Sequence, residues 1–262
     1  MKSLYQFISD FLKNKGHHVF VALLIAKVCG FLGSLFIIRI LPENEFGTIS
    51  IVASIFFIFL SLSGFGSQQI LLRYGSISQD LEEKRTLSKY LLRKGFIYQL
   101  LLSGVFLLVS LFYITKYEDI FIIFLLFCIR LVGFYFLIHI QSELRISGNN
   151  KGFASVSNVV NISGVILLFV FSYYFGLIGY LIAIAFTPFI ALFWFNKEYY
   201  ISATKDFSFT KKEIWNYGFL AAGCGLLSDM LFSADVLLLS FLMNETAVAN
   251  YKVALLIPSN IV

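Results

Sequence analysis

The sequence predicts an all-α fold, a polytopic bundle of membrane-spanning helices. Three observations carry that expectation. Hydrophobic residues make up 59% of the chain, and the mean hydropathy is +0.85. Only 13% of the residues are charged, about half the share of a soluble domain. Those charges collect between apolar blocks of about 20 residues, the length that crosses a hydrocarbon core about 30 Å thick. The blocks lack the strict alternation of a barrel strand, so they read as helices.

Apolar windows fall at 19–41, 46–69, 96–114, 120–140, 153–173, 177–195 and 216–242, and an eighth runs from Val248 toward Val262. About eight spans are therefore seen. The reading expects the chain to be the N-terminal part of a protein with twelve or more. Before the first window, Leu4, Phe7, Ile8, Phe11 and Leu12 share one helical face, which reads as an interfacial helix. No signal-peptide cleavage pattern follows it.

Lys and Arg sort to one side. Loops on that side carry 15 of them: Lys2, Lys13 and Lys15; Arg73, Lys84, Arg85, Lys89, Arg93 and Lys94; Arg145 and Lys151; Lys197, Lys205, Lys211 and Lys212. The alternate turns, at 42–47, 115–119, 175–176 and 243–247, hold Lys116, with Arg39 at the rim. The positive-inside rule places the N-terminus and the basic loops in the cytoplasm. The largest basic loops are expected at 73–95 and 196–213, the former as a solvated helical surface. This distribution accounts for the net charge of +5 without a nucleic-acid partner. Cys29, Cys128 and Cys224 lie inside apolar blocks with no metal-ligand or disulfide spacing. They read as small core residues, and no cofactor or metal is called for.

Three cations sit within or at the rim of the first six spans: Lys27, Arg39 and Arg130. Facing lipid would cost each about 3 kcal/mol, so each must face protein or water, or snorkel to the interface. Lys27 has Gly30, Gly33 and Ser34 beside it. Arg130 shares a helical face with Gln141, eleven residues on and about 20° away. Ser50, Ser54, Ser61, Gly64 and Gln68 recur on one expected face of the second span, and Ser155, Asn158 and Asn161 on one face of the fifth. These stripes are either a wet wall or glue between packed helices. Asp229 and Asp235 are the only carboxylates inside the expected spans, about 120° apart on a helix and so not a dyad. An internal echo sets Glu45-Phe46-Gly47 against Ala247-Val248-Ala249 at an offset of 202 residues, as in transporters built from repeated halves.

Four stretches, in this order, resemble one family. They are Arg39 to Gly47 (RILPENEFG), Gly64 to Arg73 (GFGSQQILLR), Glu143 to Lys151 (ELRISGNNK), and Asp235 to Ser240 (DVLLLS) with Val248 to Ala254 (VANYKVA). The chain resembles the Wzx-type polysaccharide and O-antigen flippases of the multidrug/oligosaccharidyl-lipid/polysaccharide exporter superfamily. Val236 and Ala249 stand where that family often has Arg and Gly. The resemblance implies a MATE-like fold of two helical lobes around a central cavity, with 1–205 as the N-lobe and 206–262 as the start of the C-lobe. The implied substrate is an undecaprenyl-pyrophosphate-linked oligosaccharide, moved from the cytoplasmic to the periplasmic leaflet of a bacterial inner membrane for O-antigen or capsule assembly. Implied partners are membrane lipids, the polysaccharide polymerase and the chain-length machinery.

Such a substrate needs cations for its diphosphate and hydrogen-bonding walls for its glycan. Lys27, Arg39 and Arg130 are the cation candidates, and Gln68, Asn158 and Asn161 the glycan candidates. No nucleotide-binding GxxxxGK[ST] loop occurs, so Asp229 and Asp235 are candidates for coupling to an ion gradient. The alternatives are a lipid II or drug exporter of the same superfamily, which shares the architecture, and a membrane-embedded polymerase or acyltransferase. Against the latter, the positions five residues after His17, His18 and His139 hold Ala22, Leu23 and Leu144, not Asp, and no large outer loop exists to hold a catalytic site.

Overall fold

A computed structural model describes residues 6, 9, 11–78, 80–117, 119–195 and 207–261, with side chains to 256. Most of the expected interfacial helix, and the proposed boundary at 205/206, lie outside the described residues. The elements are α1 (Gly16–Ile40), α2 (Glu43–Ser61), a 3-10 turn (Ser63–Gly66), α3 (Ser67–Ile77), α4 (Leu81–Ser110), α5 (Ile120–Ile146), α6 (Asn150–Phe186), a second 3-10 segment (Thr187–Trp194), α7 (Lys211–Leu242) and α8 (Glu245–Ile261). No strand occurs among the described residues. Six stretches are long and apolar enough to cross a membrane: Gly16–Ile40, Glu43–Ile77, Leu81–Ser110, Ile120–Ile146, Asn150–Trp194 and Lys211–Leu242. The protein is an all-α, multi-pass membrane protein.

The stretch Asn150–Trp194 is two spans. Gly176 adopts φ 56°, ψ −132°, a conformation that glycine alone reaches without a steric penalty. The chain doubles back there: a Cβ on Gly164 would lie 2.8 Å from Thr187 Cγ2, though 23 residues of straight helix would separate them by about 35 Å. The windows at 153–173 and 177–195, and the tight turn at 175–176, are as expected.

The second window, 46–69, differs from its expectation of one continuous helix. It breaks after Ser61, where Gly64, Phe65 and Gly66 all have positive φ. The freed backbone is satisfied from α4: Gln99 Oε1 accepts from Ser63 Oγ at 2.9 Å and from the Gly64 N–H at 3.0 Å. Gln68 therefore sits on α3, beyond the break, and does not continue the serine face. That face is glue rather than a wet wall. Ser50 and Ser54 are buried and bond back to Phe46 O and Ser50 O, and Ser233 of α7 donates to Ser54 O at 3.3 Å.

The basic stretch 73–95, expected as a loop with a solvated helical surface, is mostly helix, and one of its faces is buried rather than solvated. Asp80 caps α4 by accepting from the Glu82 N–H at 3.0 Å. Arg85 and Glu82 pair at 3.1 Å, and Leu87 and Leu91 are fully buried against Ile70, Leu71, Tyr74 and Ile214. That small core, on polar helix ends that continue past the apolar spans, is why the segment folds. Phe207 and Phe209 join it, Trp215 Nε1 donates to Tyr90 Oη at 3.0 Å, and Arg73 lies 4.4 Å over the Tyr217 ring.

The main core lies in the apolar middle, where Phe56, Phe106, Phe124 and Phe127 are fully buried. α1 packs chiefly on α6, and α2 is held by α7 and α8. The echo is structural as well. α1 ends at Ile40 and α7 at Leu242, while α2 begins at Glu43 and α8 at Glu245, each pair 202 residues apart. The two hairpin turns touch backbone to backbone, because a Cβ on Gly47 would overlap the Glu245 carbonyl oxygen. At the other end of the broken helix, a Cβ on Gly66 would overlap the carbonyl oxygen of Gly218.

Two outcomes test these contacts. Gly66→Ala combines φ +81° with that overlap and is expected to lose about 2 kcal/mol or more, several degrees in a thermal melt followed by Trp fluorescence in detergent. Gly104→Ala, which meets nothing within 4 Å, is expected to be neutral, and equal losses would sink the backbone-contact account. The second concerns Glu83, in the polar first turns of α4 ahead of its apolar stretch. Hydrogen bonds from the Ser208 hydroxyl, the Ser78 hydroxyl and the Ser208 N–H hold its carboxyl below the usual range. A depressed folded-state value contributes stability to the attachment of 207–210 that is fully present above the unfolded carboxylate's range and is lost as pH falls through the lower, folded-state value. Amide exchange of 207–210, corrected for intrinsic rate, is expected to rise as pH falls below the ordinary carboxylate range and to be already high in Glu83→Ala at neutral pH.

Candidate functional site

A cavity of about 580 Å³ opens between α1, α2, α5 and the α6 hairpin. Much of its wall is apolar, from Ile37, Phe57, Phe134, Leu168 and Ile184. Into this wall the fold sets Arg130, Gln141, Asn161, Tyr180, Thr187 and Ser34. Gly30 and Gly33 keep the α1 surface low enough to leave the space, and Gly164 lets Thr187 pack closely across the α6 hairpin.

Arg130 is the centre of the site. It comes from the middle of α5, one of the most apolar stretches of the chain, and its face carries Gln141 into the same cavity as the spacing requires. Its guanidinium carbon lies 5.0, 5.5 and 5.4 Å from the ring centroids of Phe56, Phe127 and Phe134. Its Nε is buried without a hydrogen-bond partner. The ion pairs among the described residues are Arg85–Glu82 and His139–Glu143, so no carboxylate neutralises it. The aromatic cage contributes on the order of 1 kcal/mol per good cation–π contact. That is less than the several kcal/mol that desolvating a lone guanidinium costs. The charge is kept where it is at a net cost, with donors free toward the cavity.

The other polar groups differ in availability. Thr187 Oγ1 and Ser34 Oγ are committed to Ala183 O and Gly30 O at 2.6 and 2.9 Å. Asn161 spends Nδ2 on Ser157 O at 2.7 Å, which fixes its amide while it lines the cavity. Asn158, one turn earlier, is half-buried with Oδ1 buried and unpartnered.

The structure brings together only part of the set drawn from the sequence. Arg130 and Asn161 line the cavity. Lys27 is exposed and is not among the lining residues, but it shares the α1 face of Gly30 and Ser34, three and seven residues on, and stands one turn beyond the edge. Arg39 is exposed in the last turn of α1, a favourable place for a cation, and makes no ion pair among the described residues. Gln68 is half-buried beyond the helix break, away from the cavity. On α7, Asp229 is half-buried, and Asp235 is exposed and accepts from Tyr251 Oη of α8 at 2.7 Å. α7 is continuous through Gly223 and Gly225. Of the three cysteines, Cys29 lines the cavity and Cys224 is exposed rather than in a core.

Sequence reasoning passed over Tyr180, which only the reversal at Gly176 swings against Arg130, and Lys252, half-buried in α8. It also passed over Gln99, although a lone amide in the run 96–114 was a readable signal.

Residues 12–261 match the family model described as "Polysaccharide biosynthesis protein". The chain belongs to that family. A solved structure described only as "protein A" superposes with a TM-score of 0.69 at 15% identity, over 96% of this chain and 61% of that one. The inward-facing conformation of a multidrug resistance MATE family transporter of the MOP superfamily superposes with a TM-score of 0.60 at 18% identity, over 88% of this chain and 59% of that one. The fold is therefore MATE-like, and the chain spans about three-fifths of the length of these solved chains. No curated protein matches it in sequence.

The isolated charge leads to a stability test. Arg130→Met fills similar volume and removes the desolvation cost, so its melting temperature in detergent is expected to equal or exceed the wild type's. A loss of several degrees would mean that the guanidinium is held by a structural partner instead.

Proposed function

We propose that the protein is a flippase for an undecaprenyl-pyrophosphate-linked oligosaccharide, moving it from the cytoplasmic to the periplasmic leaflet of a bacterial inner membrane for O-antigen or capsule assembly. The observation that carries this reading is Arg130, a cation without a carboxylate, facing a cavity with amide and hydroxyl groups on its wall. A fixed positive charge in an apolar wall attracts an anionic head group and repels the cationic drugs that a multidrug exporter would carry. Arg suits a phosphate because its planar fork gives two parallel hydrogen bonds. Membership of a polysaccharide biosynthesis family favours a glycan carrier over a drug.

In this reading the basic helix ends face the cytoplasm. The substrate's diphosphate meets Lys27 first and then Arg130, while Gln141, Asn161 and Asn158 serve the sugars. Arg39 and Gln68 stand outside this path, Arg39 as a helix-end cation and Gln68 at the broken helix. The N-lobe reaches to about residue 205 and the second lobe begins with α7. Asp229 and Asp235 are the coupling carboxylates, Asp235 through its bond to Tyr251 between α7 and α8. Polymerase and chain-length proteins receive the product.

In cells depending on this protein, Arg130→Ala and Lys27→Ala are expected to abolish surface polysaccharide at wild-type protein abundance, with Arg130→Lys retaining part of it. Asp235→Asn is expected to slow gradient-driven flipping in vesicles severalfold. Wild-type polysaccharide in both cation variants would sink the cavity reading, and equal flipping with and without a gradient would sink the coupling one.

A further inference from the structure

Toward the basic end of the bundle, α4 and α7 are bridged by aromatic rings rather than packed directly. The Tyr98 ring of α4 stands edge-on to the Trp215 indole of α7, with centroids 4.9 Å apart. Phe65, which the break between α2 and α3 brings here, forms the floor, 5.6 Å from both Tyr98 and Phe219. The seam opens outward, since Phe219 is 45% exposed and none of these rings lines the cavity. On α4, Lys94, Ile97, Leu101, Val105 and Leu108 recur at spacings of three and four, and all are exposed. One helical face therefore carries a cation followed by an apolar stripe. Lys94 is one turn from both Tyr90 and Tyr98, which places it on the seam. Across from it, Lys211 in the first turn of α7 has its Nζ 5.7 Å from the Tyr90 ring centroid. The helix dipole disfavours a cation at that end. Neither lysine forms an ion pair among the described residues. The neighbouring carboxylate, Glu213, accepts from the Thr210 hydroxyl at 3.5 Å.

We propose that this seam binds an anionic phospholipid of the adjoining leaflet, its phosphate between Lys94 and Lys211 and an acyl chain along the apolar stripe of α4. Both lysines directly precede apolar stretches, 96–114 and 216–242, so their ammonium groups sit at the level of lipid head groups. Lys is a compact point charge with three donors, which suits a phosphate held without a fixed geometry. Tyr98 and Trp215 offer apolar ring surface at the same depth, the usual place of such rings in a bilayer. A zwitterionic head group brings its own cation and leaves the two ammonium groups uncompensated, whereas an anionic one balances them. The bound lipid fills the gap that the rings bridge and ties α7 to α4. The seam is separate from Arg130 and its cavity, and lipid binding there does not depend on the flippase reading.

The chain has two tryptophans, Trp194 and Trp215, so Trp194→Phe leaves Trp215 as the one indole reporter, on the seam. The protein is placed in vesicles of phosphatidylglycerol and phosphatidylcholine in fixed equal proportion, with brominated acyl chains on one lipid or the other. Bromine quenches a nearby indole, so the two vesicles report which lipid occupies the seam. The expected result is a preference for phosphatidylglycerol of about fivefold or more, the effect of one lysine near a lipid surface. That preference is expected to vanish in Lys94→Gln/Lys211→Gln and to persist in Lys94→Arg/Lys211→Arg. It is also expected to persist in Lys151→Gln, which removes a basic residue of α6. Equal quenching by the two lipids in the Trp194→Phe protein overturns the site. So does a preference that survives the double Gln variant, that is lost equally in the double Arg variant, or that Lys151→Gln also removes. Because no substrate is present, each of these results stands apart from failure of the flippase reading.

Discussion

The structure depends on close backbone contact between the broken helix α2–α3 and the pair α7–α8. Gly47 at one end and Gly66 at the other allow carbonyl groups of Glu245 and Gly218 to approach where any side chain would stand. Lipid tails are as apolar as leucine, so helices in a bilayer gain little hydrophobic free energy by associating. Close van der Waals packing and cross-helix hydrogen bonds must hold them instead. The Ser233–Ser54 bond at the middle of the same seam is of that kind. With α2 fixed on this side, its other side is available as a wall of the cavity through Phe46, Ala53 and Phe57.

That arrangement explains how a guanidinium can be kept at membrane depth. The α6 hairpin closes the wall opposite α5, the aromatic rings of α2 and α5 shield Arg130 from lipid, and the open side is the cavity. The site is a charge held by rigid helices, pre-organised for an anion because the donors need not move to meet it. Its energetic cost is met by the packing around it, the usual relation between a functional group and the stability of its surroundings.

At the basic end, a second core of Leu87, Leu91, Tyr74 and Ile214 joins α3, α4 and α7. Aromatic side chains dominate this joint, and a carboxylate, Glu83, pins the segment that leads into α7. The pair α7–α8 is therefore tied to the rest of the bundle twice, by glycine contacts with α2–α3 and by an aromatic and polar joint with α3 and α4.

The sequence by itself determined the all-α membrane class, the apolar windows and the tight reversal at Gly176. Each follows from local facts: apolar length, the need to satisfy backbone groups internally, and glycine's access to positive φ. It also singled out Arg130 and put Gln141 on its face, because both lie on one regular helix. Tertiary structure decided the rest. The serine face of α2 was ambiguous between water and protein until Ser233 was placed against it, and its extension to Gln68 failed because Gln99, 35 residues away, stabilises a break that local periodicity does not show. The stretch 73–95 read as a wholly solvated helical surface because its charges hid leucines, Leu87 and Leu91, whose partner Ile214 is distant in sequence. The lone state of Arg130 is the clearest case. A charge is legible in a sequence, but the absence of a counter-charge around it among the described residues depends on which helices come together.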